Sequence, residues 1–408
     1  MASTRCDAYF ERISKVMPYG SSTASKAALY RPEEPALVER AAGCRVWDVD
    51  GREFIDFRNG LGPITLGYGY PAVDAAVREQ LERGIGFSHP HRLECEVAEL
   101  LTTVIPSAEQ VRFLKTGGEA NAACFRLARA FTGREHIVQI GYHGWLNSLA
   151  AGGQYRPGVT AASAPAGVPV GLAAVHHSAG WNDLAEVERL FELLPGQIAA
   201  VCVAASYADM AAGATFYPAL RALTRKHGAL LIYDEIVTGF RIALAGVQEY
   251  FGVTPDLAVF AKGVANGMPL SVFCGRREVM SLCDRGGRTV ISSTYGGECL
   301  SLAAAKAVIS VYREQDVVGH LWRQGEAMWG GVNRLCAQYQ VPLALRGFWP
   351  CPQFTPQAGA PADLLPRLFR AACRHGVVLY NVSYVNFSHQ DADVAEALER
   401  LERALRDL

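Results

Sequence analysis

Between residues 111 and 275, short continuously apolar runs alternate with amphipathic segments. The runs are VRFLKT (111–116), HIVQIG (136–141), AAVCVAA (199–205), ALLIYD (229–234), LAVFAK (257–262) and SVFCG (271–275). None has the every-other-residue polarity of a strand with one wet face, so each reads as a strand covered on both sides. Between the runs lie helical patterns. Residues 119–132 put Cys124, Leu127, Ala128 and Phe131 on one stripe, and Gly133 stands where a helix stops. This alternation predicts an α/β fold, a parallel sheet with helices on both faces.

The flanks follow another pattern. CRVWDVDGREFIDF (44–57) holds two strand-like runs joined by an Asp50-Gly51 turn, and DADVAEALERLERALRDL (391–408) is an amphipathic helix. Length supports two domains, since 408 residues exceed one ordinary core. The expected division is an N-terminal segment 1–55 joining a small α+β domain, a large α/β domain 56–300, and the rest of the small domain at 301–408. The Ala/Gly/Pro-rich stretch 151–173 reads as a long loop.

Composition narrows the function classes. Half the residues are apolar, 19% are charged and the formal net charge is -1, with no long block of one sign. That gives little electrostatic support for nucleic acid or membrane surfaces as partners. No apolar run has the length of a membrane span, and the first residues lack the apolar stretch of a secretory signal, so a cytoplasmic location is expected. Eleven cysteines stand singly without a C-x-x-C pair. They read as reduced core residues rather than as a disulfide framework or zinc site, and no metal is expected.

Four places carry chemistry. Thr116-Gly117-Gly118-Glu119-Ala120 follows a strand and opens a helix, where free amides attract phosphate; a plain strand-to-helix turn would use the same glycines. Gly141-Tyr142-His143-Gly144-Trp145 follows the next strand and can offer an aromatic face to a flat ring, although a lone histidine is more often structural. Asp234 and Lys262 each end an apolar run. A carboxylate that keeps a pyridine nitrogen protonated and a partly desolvated amine that condenses with an aldehyde together suit a pyridine-aldehyde cofactor.

These residues give the chain a clear resemblance. It resembles class III pyridoxal-phosphate aminotransferases of fold type I, especially the glutamate-1-semialdehyde aminomutase branch. The motifs are Lys115-Thr116-Gly117-Gly118-Glu119-Ala120, DEIVTGFR (234–241), Lys262-Gly263, WDVDGREFIDF (47–57) and STYGGE (293–298). The resemblance implies a mainly parallel seven-stranded sheet in the large domain and pyridoxal 5'-phosphate as cofactor. It makes Lys262 the Schiff-base lysine and catalytic base, and Asp234 the partner of the ring nitrogen. It also puts Tyr142 and Ile236 on the two ring faces and Gly117 and Gly118 at the phosphate. Thr294 would reach that phosphate across a homodimer interface, and Asp209 would lie near the ring hydroxyl.

Departures from the branch bear on substrate. Ala204-Ala205 replaces a glutamate-proline, Lys26 an arginine, Leu61 a tryptophan, and 381–386 reads NVSYVN where a serine-proline-tyrosine-glutamate loop is expected. Losing a bidentate carboxylate clamp to a flexible ammonium is not conservative. GLGPITLGYGYP (60–71) and STYGGECLSLAAAKA (293–307) resemble relatives acting on sugars and aminoglycosides in antibiotic biosynthesis. The leading expectation is therefore an aminotransferase acting on a carbohydrate or aminoglycoside carbonyl, for instance at a 6′ position. An epimerase at an amine-bearing carbon comes second and glutamate-1-semialdehyde 2,1-aminomutase third. Lys26, Tyr30, Leu61, His89, His91, His143, Tyr155 and residues 381–386 are the substrate-side candidates. A non-catalytic binder would have no use for the Asp234–Lys262 pair.

Overall fold

The computed structural model describes residues 4–146, 149 and 165–408. The chain forms two compact units, Met1–Pro71 with Asp316–Leu408, and Ala72–Gln315. The crossings at 71 and 315 compare with the sequence boundaries at 55 and 300. Residues 56–71 stay with the N-terminal strands, Tyr68 bridging Gly43, and the helix Cys299–Glu314 packs within the larger unit.

In the smaller unit, helix α1 (Arg5–Val16) precedes strands β1 (Val38–Ala42), β2 (Arg45–Asp48) and β3 (Glu53–Asp56), which form an antiparallel run around the Asp50-Gly51 turn. The two-residue strand Val377–Val378 adds parallel to β3 from the far end of the chain. Arg45 fixes the helix Asp391–Arg406 to this sheet through Glu53, Asp393 and Glu396 at 2.6–2.7 Å. His389 is fully buried here, stacked on Phe57 at 4.5 Å, and its Nδ1 accepts the Asn386 N–H at 3.0 Å.

Burial pushes the His389 pKa down to about 3, so its ring is neutral in the fold. An unfolded histidine titrates near 6.5 and takes up a proton between those values. The stability linked to His389 is therefore full above about pH 6.5 and drains as pH falls toward 3. In the larger unit burial likewise lowers His176 to about 3 and His177 to about 4. The melting temperature should fall between about pH 7.5 and about pH 5, and His389→Met should flatten the fall. An unchanged slope in that variant would refute the assignment.

The larger unit carries helices α2 (Pro71–Leu81) and α3 (Arg92–Val104), then strand β4 (Gln110–Leu114) and helix α4 (Gly117–Thr132). The remaining strands are β5 (His136–Ile140), β6 (His176–Ser178), β7 (Ile198–Ala204), β8 (Leu230–Asp234), β9 (Leu257–Phe260) and β10 (Ser271–Gly275). They make one seven-stranded sheet in the order β4-β10-β9-β8-β7-β5-β6. All pairings are parallel except those of β10, which runs antiparallel to both β4 and β9. Every residue of β7, β8, β9 and β10 is buried, as their unbroken apolar sequence requires. Pressed on the sheet, α4 buries Cys124, Phe125, Leu127 and Ala128. It closes on Gly133 in the left-handed region. All eleven cysteines are free, and no described helix is long and apolar enough to cross a membrane.

Candidate active site

Strand direction assembles the site. β10 reverses twice over, so β4 points the same way as β5, β7, β8 and β9. The segments leaving those strands, at 115–118, 141–145, 205–209, 234–236 and 261–262, thus emerge at one edge of the sheet. That is where open α/β sheets bind ligands.

Asp234, the last residue of β8, is 6% exposed, and the described residues give it no lysine or arginine. Its Oδ2 accepts Asn121 Nδ2 at 2.8 Å and the His143 Nδ1–H at 2.9 Å, while Oδ1 accepts the Ile236 N–H at 3.1 Å. The same Asn121 amide donates to the His143 carbonyl at 3.0 Å. Since a carboxylate only accepts, His143 carries its hydrogen on Nδ1. Cys202 lies 3.6 Å from that nitrogen, and burial, then the charge on Asp234, holds its thiol protonated. A buried carboxylate oriented by three donors but lacking a full positive partner fits a protonated ring nitrogen.

The glycine turn fits a phosphate. Gly117 and Gly118 open α4, where the first amides have no intrahelical acceptor. Thr116 and Glu119 form a capping box around them, with Thr116 Oγ1 accepting the Glu119 N–H at 3.3 Å. A Cβ on Gly117 would stand 2.3 Å from Ile236 Cδ1 and 2.9 Å from its Cγ1, so a larger residue would push the Ile236 side chain aside. Gly144, at φ +117, likewise brings its loop against Gly118, 3.1 Å from where a Cβ would be. Tyr142 and Trp145 are exposed at this edge, offering aromatic faces.

Lys262 is half-buried and begins a 3₁₀ turn just beyond β9 with φ +47. A left-handed lysine is strained by about 1–2 kcal/mol, a conformation that surrounding structure must impose. Lys115 Nζ pairs with Glu298 Oε2 at 2.9 Å, and Glu298 caps the helix Cys299–Glu314. This pair anchors the 293–298 segment, on which Thr294 is exposed. Asp209 is exposed too; its N–H donates to Ser206 Oγ at 3.2 Å and its carbonyl accepts Trp181 Nε1 at 3.2 Å.

The substrate-side candidates separate. His143 is buried, and its imidazole serves Asp234. His91 caps α3 through the Leu93 N–H at 3.3 Å, and His89 is exposed. Lys26, Tyr30 and Leu61 belong to the smaller unit. Arg58 links their neighbourhoods there, donating to Glu34 at 2.9 Å and to the Ser25 carbonyl and lying over the Tyr380 ring. Residues 383–386 are buried, and Asn386 donates to Asn59 Oδ1 at 2.7 Å, bracing the loop in which Leu61 takes φ +75. Tyr155 lies outside the described residues. Asn121 and Glu235 went unnoticed in the sequence. Asn121 stands one turn after Gly117, a spacing that could have flagged it. Glu235 is fully buried behind Asp234; burial raises its carboxyl to about 7 against bonds from Thr238 and from the Val247 and Gln248 amides.

Because His143 acts through Asp234, it is a positioning residue. His143→Phe should cut turnover about 10–100-fold, the worth of roughly 1.5–3 kcal/mol for a hydrogen bond to a charged group. His143→Gln, which keeps a donor, should recover part of it. A shifted cofactor absorbance band in His143→Phe separates this role from loss of fold.

Comparison with known proteins agrees with this geometry. The family model for Aminotransferase class-III matches residues 28–405. A glutamate-1-semialdehyde 2,1-aminomutase of Roseiflexus castenholzii is 32% identical over 100% of this chain and 98% of its own. The internal aldimine form of the Sphingopyxis sp. MTA144 FumI protein superposes with TM-score 0.87 at 25% identity, covering 98% of this chain and 96% of that one. A β-phenylalanine aminotransferase of Variovorax paradoxus gives TM-score 0.86 at 26% identity, over 97% and 92%. The chain belongs to the class-III aminotransferases and is a pyridoxal-phosphate-dependent enzyme of fold type I.

Proposed function

We propose that this enzyme transfers an amino group to the carbonyl carbon of a small polyhydroxylated substrate, a sugar or aminoglycoside. The observation that carries the reading is the lysine at position 26, where the aminomutase branch has an arginine, together with Leu61 and Ala204-Ala205. A site without the bidentate guanidinium suits a reacting end without an α-carboxylate.

Pyridoxal phosphate, when bound, supplies an electron sink for the carbon that bears the amine. Asp234, oriented by His143 and Asn121, keeps a proton on the ring nitrogen. The amides of Gly117 and Gly118 bind the phosphate, with Thr294 of a second copy in a homodimer reaching the same group. Tyr142 and Ile236 would cover the two ring faces and exclude water. Asp209 would lie near the ring hydroxyl. Lys262 would hold the cofactor's aldehyde carbon and, as a free amine, would take the proton from the amine-bearing carbon and return it at a second position. The carbon that receives this proton decides between amine transfer and inversion of configuration.

A second reading, glutamate-1-semialdehyde 2,1-aminomutase, is favoured by the 32% identity spanning the whole chain. The holoenzyme should be incubated in deuterated water with aminated sugars and with glutamate-1-semialdehyde, each with and without a keto-acid acceptor. Amine loss from a sugar that requires the acceptor supports the proposal. Deuterium gain with scrambled configuration and no acceptor requirement would replace it with epimerisation. Conversion of glutamate-1-semialdehyde alone would establish the aminomutase.

A further inference from the structure

At the far end of α4 from Gly117, four arginines converge on one concavity of the larger unit. Arg126, Arg129, Arg134 and Arg288 line a wide-open surface depression of about 580 Å³ in which Glu135 is the sole acid. At about 1.5 Å per residue, Arg126 and Arg129 stand roughly 14 and 18 Å along the helix from Gly117, and Gly133 roughly 24 Å.

Each guanidinium is pinned by a neutral partner. Arg126 donates to the Val290 carbonyl at 2.9 Å and Arg288 to that of Ala130 at 2.8 Å. Arg134 holds the carbonyls of Ile198 and His227 at 3.0 and 2.9 Å. Arg129 donates to the Glu135 carbonyl at 2.7 Å and meets His176 Nε2 at 2.9 Å. None of the four has a carboxylate within ion-pair distance among the described residues. Burial, opposed by Glu135, lowers the pKa of Arg129, the mark of a cation short of compensation.

Capping of α4 and of the helix Gly213–His227, whose last residue His227 gives its carbonyl to Arg134, does not account for all four. The carboxyl end of a helix carries about half a negative charge. Four guanidinium charges against one carboxylate far exceed that, and such a cluster repels itself unless an anion is present. Five N–H donors per guanidinium leave most of them unspent after these bonds. Fixed arginines with spare donors are the arrangement that grips phosphate in pairs.

We infer that this groove binds a compact polyanion carrying two or more phosphate groups, at a site distinct from the cofactor's. The net charge of -1 on the whole chain argues for a compact ligand rather than an extended nucleic acid.

Inorganic triphosphate titrated calorimetrically into the cofactor-loaded enzyme at roughly 50 mM salt should bind once per chain, with the cofactor spectrum unchanged and affinity falling as salt rises. Arg126→Gln with Arg288→Gln, the two exposed members, should weaken binding at least about tenfold. Arg78→Gln with Arg83→Gln, exposed on α2 and just beyond its end, should leave it intact. A nucleoside triphosphate that binds more tightly assigns a base contact as well; equal affinity assigns free oligophosphate. No binding at millimolar triphosphate, equal weakening by both double variants, or preference for duplex DNA would overturn the inference. The readout is binding, so it stands or falls independently of the substrate.

Discussion

Replacing Lys262 with alanine should lower turnover by at least about 10³-fold, because in the proposed mechanism one side chain supplies both the covalent link to the cofactor and the proton carrier. Borohydride treatment followed by peptide mass spectrometry should tag the wild-type enzyme at Lys262 and leave the variant untagged. Melting should change little, since the residue is half-buried and its left-handed backbone is set by the turn after β9. Lys262→Arg should not rescue, as a guanidinium neither condenses with an aldehyde nor gives up its proton near neutral pH. Substrate α-hydrogen exchange in deuterated water at the wild-type rate in Lys262→Ala would remove the lysine from the mechanism.

Asp256→Ala should produce the largest loss of stability, about 3–5 kcal/mol. Its carboxylate is 2% exposed and gathers Arg221 at 2.5 and 3.0 Å, Arg276 at 2.8 Å and the Leu231 N–H at 2.8 Å. It thereby joins the helix Gly213–His227, β8, and the segments entering β9 and leaving β10. Truncation strands two guanidinium groups on one spot, Arg221 largely buried. Burial alone would raise the Asp256 pKa, but the Arg221, Leu231 and Arg276 contacts outweigh it and hold the carboxyl below its ordinary 3.8. Its stabilisation is therefore complete above that value and lost as pH drops through the lower, folded one. Urea midpoints at about pH 7 for wild type, Asp256→Ala and Asp256→Asn measure the effect. A shift below about 1 kcal/mol in Asp256→Ala would show that the network is replaceable.

Much of the larger unit's framework was legible in the chain. Six apolar runs became six strands with small shifts at their ends, because burial on both faces leaves an unbroken hydrophobic signature. β6 was invisible for the opposite reason. His176, His177 and Ser178 carry no apolar signal, and the strand exists through its backbone pairing with β5. The reversal of β10 leaves no mark in its own composition, although ten residues after β9 allow little room for a parallel crossover.

At the site, strand ends and glycines exposed Asp234, Lys262, Gly117 and Gly118, since each sits where an apolar pattern stops. The supporting residues were harder to see. Asn121 reads as an ordinary helical position, and His143 as a loop histidine, until folding brings both to Asp234 across 113 and 91 residues. Buried polar partners of this kind are selected by three-dimensional neighbours, which no local pattern encodes.

The place of β10 has a consequence for synthesis. The strand that leads into the glycine turn, β4, leaves the ribosome early, yet its neighbour in the sheet is the last of the seven to be made. Until residues 271–275 slot between β4 and β9, β4 has no partner in the sheet, and Gly117 is held near Ile236 only through the packing of α4 and the Asn121–Asp234 bond. A nascent chain ending before residue 271 should therefore hold Asp234 and Lys262 but fail to retain the cofactor. Retention of pyridoxal phosphate by nascent chains should begin only once residues 271–275 have been made.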